Sequence, residues 1–228
     1  MQRLPKRLVD GSQLTAAAAT YYFFGRHLSA AEAKLDWFPD ALTTVGLTGR
    51  RIVQDSVVPT LGGLVNNAGV VDVACRVDAM SVERLQRQWS VNVLGSFVCA
   101  REAVRRMSTH HGGAGGSIVN VSSVASRLGA PGQYVDYAAC KGAIDTFTVG
   151  LAREVADEGI RVNAVRPGII DTDIHASGGQ PDRAQRLAPS VPMQRPGTAD
   201  EVAQAIVWLL SPAASYTTGA LVDVGGGR

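Results

Sequence analysis

From about residue 61 onward, short apolar runs alternate with segments of helical periodicity. We expect strands at residues 63–66, 117–122, 160–165 and 221–224, and helices at residues 81–107, at residues 134–157 and after Thr198. Such alternation favours a parallel sheet with helices on both faces. A chain of 228 residues can bury one sizeable core. The sequence therefore predicts a single α/β domain over residues 1–228 with a doubly wound parallel sheet.

Composition argues against several classes of protein. The chain has 22 Lys and Arg against 20 Asp and Glu, and it shows no basic stripe of the kind that binds nucleic acid. No apolar run approaches the roughly 20 residues that cross a membrane. Cys75, Cys99 and Cys140 lack the spacing of a metal site or a disulfide framework. We expect a cytoplasmic protein with no metal, no nucleic-acid partner and no membrane partner.

Residues 122–141 join a strand end, a turn and the start of a helix. Tyr137 and Lys141 are four apart, so they share one helical face. A tyrosine with a pKa near ~10 is a poor base at neutral pH, but a nearby ammonium can lower that pKa by about one to three. The phenol could then exchange a proton with an alcohol or carbonyl, and Ser122 or Ser123 could hydrogen-bond the same oxygen. Alone, Tyr-x-x-x-Lys is equally an ordinary solvated helix turn.

Further motifs follow one another along the chain: Asn66-Asn-Ala-Gly69, Ser90-Val-Asn92-Val, Asn120-Val-Ser-Ser123, Tyr137-Ala-Ala-Cys-Lys141 and Arg161-Val-Asn-Ala-Val-Arg-Pro-Gly168. With these motifs the chain resembles the short-chain dehydrogenases/reductases, in particular the sugar and 3-oxoacyl reductases. The resemblance covers roughly the last three quarters of the chain. It implies a Rossmann-type sheet, NAD or NADP as cofactor, a small alcohol or ketone substrate, and a homo-oligomer that is a dimer or a tetramer.

The resemblance also implies four catalytic roles. Tyr137 would transfer the proton, and Lys141 would lower the tyrosine pKa and bind the nicotinamide ribose. Ser123 would hold the substrate oxygen, chosen over Ser122 because relatives use the second serine of this pair. Asn92 would hold a water that passes protons to the lysine. Read without the family, an asparagine inside a helix is a satisfied polar residue or a local kink.

Cofactor contacts are implied at two turns. The turn that contains Asn66, Ala68 and Gly69 would lie along the adenosine side, with Asn66 making the contact. The backbone after Pro167 and Gly168 would face the nicotinamide carboxamide at Ile170, with Thr172 contacting the carboxamide or the pyrophosphate. Tyr137 and Lys141 complete this set.

Several other features have simpler interpretations. The helix over residues 81–107 is expected to carry an apolar stripe on one side, made by Leu85, Trp89, Val93, Phe97 and Ala100. Cys140 is expected to be a packing residue rather than a nucleophile. Residues 171–191 form a long polar stretch that we interpret as a substrate lid. His175 lies in this stretch and could touch substrate, but we expect a solvated loop histidine. The stretch around His110 is expected to be a surface loop and not a phosphate or metal site.

Residues 1–60 depart from the family pattern. The glycine-rich turn Thr-Gly-x-x-x-Gly-x-Gly, which brings backbone amides to the pyrophosphate, is not found there. A divergent segment, a deletion or a changed 5′ reading frame would each explain this. We expect helices at residues 14–24 and 30–37 and a strand at residues 51–54. The alternative function is therefore a relative defective in cofactor binding, kept as a pseudoenzyme or an oligomer partner.

Overall fold

The computed structural model describes residues 21–25 and 61–228. Within them lies one sheet whose strands follow chain order: β1 (Tyr21–Gly25), β2 (Leu61–Asn66), β3 (Gly116–Val121), β4 (Ile160–Pro167) and β5 (Leu221–Val224). Strands β2 to β5 are parallel, and β1 pairs antiparallel with β2. The four strands expected after residue 60 are confirmed, and so is the α/β sheet of Rossmann type.

Helices connect these strands. They are α1 (Val82–Trp89), α2 (Gly95–Met107), α3 (Ala125–Leu128), α4 (Val135–Glu154), α5 (Ile174–Ser177), α6 (Arg183–Leu187) and α7 (Ala199–Leu210). A π-helical segment, Ser90–Leu94, interrupts what we expected to be one helix over residues 81–107. At the start of α7 the Thr198 side chain accepts from the Glu201 amide, and Glu201 caps Thr198 in return. This reciprocal capping box is the start signal that the sequence contains.

Two apolar layers cover the sheet because successive strand residues face opposite sides. On one face Leu64 and Ile118 pack with residues of α2 and α4. On the other face Val65 and Val119 pack against the buried side of α7. This two-layer core fixes the carboxyl ends of β2, β3 and β4 along one edge of the sheet.

The expected stripe on the long helix is only partly buried. Val93 and Ala100 lie in the core, but Leu85, Trp89 and Phe97 are 42%, 53% and 44% exposed. Periodicity identifies an apolar face of a helix but does not say what covers that face.

The helix expected at residues 14–24 is also wrong where the structure describes it. Residues 21–24 belong to β1, whose backbone pairs with β2. The amino-acid composition of a segment does not show whether a neighbouring strand can pair with its backbone. The helix expected at residues 30–37 and the strand expected at residues 51–54 lie outside the described residues.

Candidate active site

The site forms where parallel strands end side by side. The Asn66-to-Gly69 turn follows β2, Ser122 and Ser123 follow β3, and Pro167 is the last residue of β4. Carboxyl ends of parallel strands form the ligand edge of open α/β sheets. Helix α4 brings Tyr137 and Lys141 to the same edge, because its N-terminal part lies beside the β3 end.

Lys141 is held at this edge in an almost fully buried position, with 3% of its surface exposed. Its Nζ donates to the carbonyl of Val121, the last residue of β3, at 2.8 Å. Burial lowers the pKa of Lys141 to about 8, although the charges of Cys140 and Asp145 act to raise it. The amine therefore remains mostly protonated at neutral pH and loses its charge within a mildly alkaline range.

Tyr137 lies one helical turn before Lys141 and is half-buried. The Lys141 Nζ is 5.5 Å from the centre of the Tyr137 ring. Burial raises the pKa of Tyr137 to about 12, and the hydrogen bond with Ser123 acts in the opposite direction. The predicted lowering of this pKa by Lys141 is therefore wrong for this structure, because removal of the phenolate from water outweighs the favourable contacts.

The two neighbouring serines have different surroundings. Ser122 is buried, and its Oγ donates to the Lys141 carbonyl at 3.1 Å. Ser123 is half-buried, hydrogen-bonds Tyr137, and its Oγ accepts from the Ala125 amide at 3.1 Å. Ser122 thus ties α4 to the strand end, whereas Ser123 places its hydroxyl beside the phenol. This contrast supports the choice of Ser123.

Asn92 lies in the π-helical segment, where three hydrogen bonds hold its side chain. Its Oδ1 accepts from the Val70 amide and its Nδ2 donates to the Val70 carbonyl, both at 3.0 Å. The same Nδ2 donates to Gln88 at 2.7 Å. Asn92 is therefore a satisfied polar residue, and it also lies at an irregularity of the helix. Such π-helical irregularities are common at functional sites.

Gly69 brings Asn92 and Lys141 together. A Cβ placed on Gly69 would lie 3.1 Å from the Asn92 Oδ1 and 3.4 Å from the Lys141 Nζ. A methyl group at this position would press on the Asn92 Oδ1, so glycine lets the turn after β2 approach both groups without that tight contact. Ala68, its neighbour, is buried.

Asn66 has a different environment from the one expected. Its side chain is 2% exposed, and its Nδ2 donates to Asn120 at 2.8 Å and to the Ser96 carbonyl at 3.4 Å. While it holds these bonds the side chain links β2 to β3 and α2. The cofactor contact predicted for Asn66 stays a prediction, and while these side-chain bonds hold it would have to involve the backbone.

The turn after β4 is closely packed. A Cβ on Gly168 would lie 2.7 Å from the Gly225 Cα, so only glycine fits. Ile170 is buried and pairs with Gly197, whereas Thr172 is exposed. The expected solvated loop histidine is wrong: His175 is half-buried in α5, and its Nε2 lies 2.9 Å from the Ile170 carbonyl.

Comparison with known proteins decides the family. A family model described as Enoyl-(Acyl carrier protein) reductase matches residues 51–228. The chain belongs to the short-chain dehydrogenase/reductase family. The expectation of an NAD(P)-dependent oxidoreductase is thereby confirmed at the level of the family.

Individual members of the short-chain dehydrogenase/reductase family agree with this assignment. The chain is 62% identical over 168 residues to an uncharacterized oxidoreductase, YgfF, of Escherichia coli, an alignment that covers 74% of this chain and 68% of the relative. It is 39% identical to glucose 1-dehydrogenase 2 of Bacillus subtilis, covering 74% of this chain and 64% of that protein. The chain thus spans about two thirds of the length of these relatives.

Solved structures of the family show the same fold. A gluconate 5-dehydrogenase from Burkholderia cenocepacia, in complex with NADP and tartrate, has a TM-score of 0.69 at 31% identity and covers 76% of this chain and 66% of its own. ElxO with NADP bound has the same TM-score and identity, and the match covers 80% of this chain and 72% of the ElxO chain. None of the helices that the structure describes is both long and apolar enough to cross a membrane.

One pair of charged residues at the site was not predicted. Arg84 of α1 donates to Asp136, the residue before Tyr137, through Nε at 2.7 Å and Nη2 at 3.3 Å. The Asp136 side chain is 2% exposed and that of Arg84 is 11% exposed. The ion pair fixes the start of α4 against α1. No sequence signal marks it, since the partners are 52 positions apart.

Cys140 and His110 were the other candidates for chemistry in the described part of the chain. Cys140 is buried, and burial raises the pKa of its thiol to about 11, which suits a packing residue. No cluster of three metal-ligating side chains occurs among residues 21–25 and 61–228. His110 lies on an exposed turn, Thr109–His111.

Proposed function

We propose that this protein interconverts a secondary alcohol and a ketone, with NAD or NADP as the hydride partner. The observation that carries the proposal is the convergence of two pairs at one strand edge. Tyr137 is hydrogen-bonded to Ser123, and Lys141 and Asn92 both lie against Gly69. The two residues of each pair come from different parts of the fold, so tertiary packing brings them together. These four residues are the ones to which the resemblance in sequence assigns catalytic roles.

The donors at the site fit the ribose of a nicotinamide cofactor. The Lys141 ammonium has three hydrogens, and the Val121 carbonyl accepts one of them. The remaining hydrogens suit the neighbouring hydroxyls of a ribose. A bound nicotinamide ring would supply or accept the hydride. NADP is named in the solved relatives, and the backbone of the turns at Asn66, Gly168 and Ile170, together with Thr172, is proposed to line the rest of the cofactor.

Proton transfer falls to Tyr137. Because burial raises its pKa to about 12, the phenol is protonated at neutral pH and is ready to act as an acid. In ketone reduction the Tyr137 O–H bond breaks and the proton goes to the oxygen of the former carbonyl. Ser123 hydrogen-bonds the same oxygen as its negative charge develops. In alcohol oxidation the proton returns to the tyrosine.

Lys141 and Asn92 support this step. The positive charge of Lys141 favours the phenolate that remains after proton donation. Asn92, fixed by its three hydrogen bonds to Val70 and Gln88, stands beside the same amine across Gly69. It is placed to hold a water that restores the proton.

Self-association is proposed through the exposed apolar side of α1 and α2. Leu85, Trp89 and Phe97 are each at least two-fifths exposed there, and Phe97 stacks on Phe147 of α4 at 3.8 Å between ring centroids. Exposed large apolar side chains that recur on one side of a helix are typical of protein interfaces when they form a patch. A dimer or a tetramer would cover it.

A hydride-transfer assay tests the proposal. The full chain is mixed with NADH or NADPH and a panel of ketones, and the oxidation of the cofactor is followed. Tyr137→Phe should lower turnover by about 10²- to 10⁴-fold, the usual contribution of general acid–base catalysis. Tyr216→Phe, at a fully exposed tyrosine, is the matched control. Equal rates in the two variants would refute the assignment of Tyr137.

A further inference from the structure

Residues 171–191, the lid segment, cross from one wall of the site to the other. At Gly178 a Cβ would lie 2.9 Å from the Val71 Cγ1, so the segment packs against the chain that follows Gly69. Two residues later the Gln180 Nε2 donates to the Tyr134 hydroxyl at 2.9 Å. Tyr134 is the residue just before α4, one turn ahead of Tyr137. The lid segment therefore lies at the rim of the catalytic cleft.

Two guanidinium groups meet at Gln180. Its Oε1 accepts from the Arg183 Nη1 at 3.3 Å and from the Arg186 Nη2. The guanidinium of Arg183 also lies over the Tyr134 ring, 5.1 Å from its centre. Guanidinium has no acceptor, so the amide atom that faces both arginines must be oxygen. The four side chains form one unit, which we name the arginine cluster: Tyr134, Gln180, Arg183 and Arg186.

The arginine cluster is unbalanced in charge. Within the described residues neither Arg183 nor Arg186 forms an ion pair with a carboxylate. The nearby Asp171 accepts from Gln185 instead. Two like charges directed at one neutral oxygen repel each other, and an anion placed between them would remove that repulsion.

We propose that the arginine cluster binds an oxyanion, a carboxylate or a phosphate, carried by the substrate. Guanidinium groups present paired N–H donors that match such oxygens and form the stronger, charge-assisted hydrogen bonds. Gln180 of the cluster contacts Tyr134 at the rim of the cleft, so the cluster would hold the charged end of a molecule whose carbonyl reaches Tyr137. The inference rests on the proposed function and narrows it to acidic alcohols and ketones.

Binding is measured first because it does not require turnover. Inorganic phosphate and acetate are titrated into the full chain by calorimetry or NMR. Gln180→Glu places a carboxylate between the guanidinium groups with almost no change of shape. It should weaken anion binding by about tenfold or more, as loss of one or two charge-assisted bonds implies. Arg183→Gln with Arg186→Gln should do the same, whereas Arg153→Gln, an exposed arginine at the end of α4, should not.

The two probes distinguish the source of the oxyanion. Tighter binding of phosphate points to a phosphorylated substrate, and tighter binding of acetate points to a carboxylic acid. Equal weakening of anion binding by Arg153→Gln, or unchanged binding in Gln180→Glu, overturns the inference.

Turnover is measured second, with oxo acids and their methyl esters as pairs. The unmodified protein should prefer each acid through a lower KM, and Gln180→Glu should reduce that preference by about tenfold or more. Equal use of acid and ester by the unmodified protein overturns the inference and leaves the proposed function intact. A different outcome is anion binding that weakens in Gln180→Glu together with no turnover of any ketone. That outcome would support anion binding by the arginine cluster and refute the proposed function.

Discussion

Replacement of Lys141 by methionine separates the effect of the buried amine on stability from its proposed role in catalysis. Burial lowers the pKa of Lys141 from 10.5 to about 8. Each tenfold change in proton affinity corresponds to about 1.4 kcal/mol, so the buried charge destabilises the folded state by about 3 kcal/mol at neutral pH. Methionine has a similar length and no charge. The variant should therefore lose activity and yet not lose stability.

A second effect of the substitution opposes the stability gained by removing the buried charge. The Val121 carbonyl, which accepts from the Lys141 Nζ at 2.8 Å, loses its partner in the variant. An unsatisfied carbonyl costs about 1–3 kcal/mol. The net change at pH 7 is thus expected to lie between about zero and about 2 kcal/mol in favour of Lys141→Met.

The pH dependence of the free energy of unfolding reports the ionisation of Lys141. The folded pKa is depressed below the unfolded value, so between about pH 8 and about pH 10.5 the unfolded chain retains a proton that the folded chain has released. Stability of the wild type then rises with pH relative to Lys141→Met, by about 3 kcal/mol across this interval. Comparison of the two proteins cancels the contributions of titratable groups that do not interact with Lys141.

Urea denaturation at a series of pH values measures this difference. The m-values of the two proteins should agree, so that differences in midpoint report stability. A free-energy difference that stays constant from about pH 7 to about pH 10.5 would refute the reasoning, because it would mean that Lys141 ionises normally in the folded state.

Three further predictions concern neighbouring contacts. Ser123→Ala should lower kcat by about 10²- to 10³-fold, as loss of an oxyanion donor does, whereas Ser122→Ala should mainly lower stability; similar kcat values would contradict the distinction. Asp136→Asn should lower the free energy of unfolding by about 3–5 kcal/mol because it breaks the buried pair with Arg84, and a loss under about 1 kcal/mol would be contrary to expectation. Phe97→Glu should lower the mass seen by analytical ultracentrifugation, and an unchanged mass would argue against the apolar interface.

The sheet and its site edge could be predicted because their signals are local. Short β-branched runs gave the strands, and β5 has the predicted bounds, Leu221–Val224. Tyr137 and Lys141 could be placed on one helical face because residues four apart are neighbours on the surface of any helix. The capping box of Thr198 and Glu201 is likewise contained in four consecutive residues.

The rest depended on contacts between distant residues. The pairing of Arg84 with Asp136 and the exposure of Trp89 follow from how helices pack, and neither has a local signature. The pKa of Tyr137 was predicted in the wrong direction because the sequence shows the nearby charge of Lys141 but not the extent of burial. Tertiary packing decides which of the two effects dominates.

The central claim is that Tyr137 and Lys141 act together as a proton-transfer pair, and the pH–rate profile of ketone reduction tests it most directly. Tyr137 should remain protonated through the usable range, because its pKa is raised to about 12. The rate should therefore follow the charge of Lys141, with a plateau at neutral pH and a fall governed by a pKa near 8. A rate that stays level from about pH 7 to about pH 10 would contradict the account.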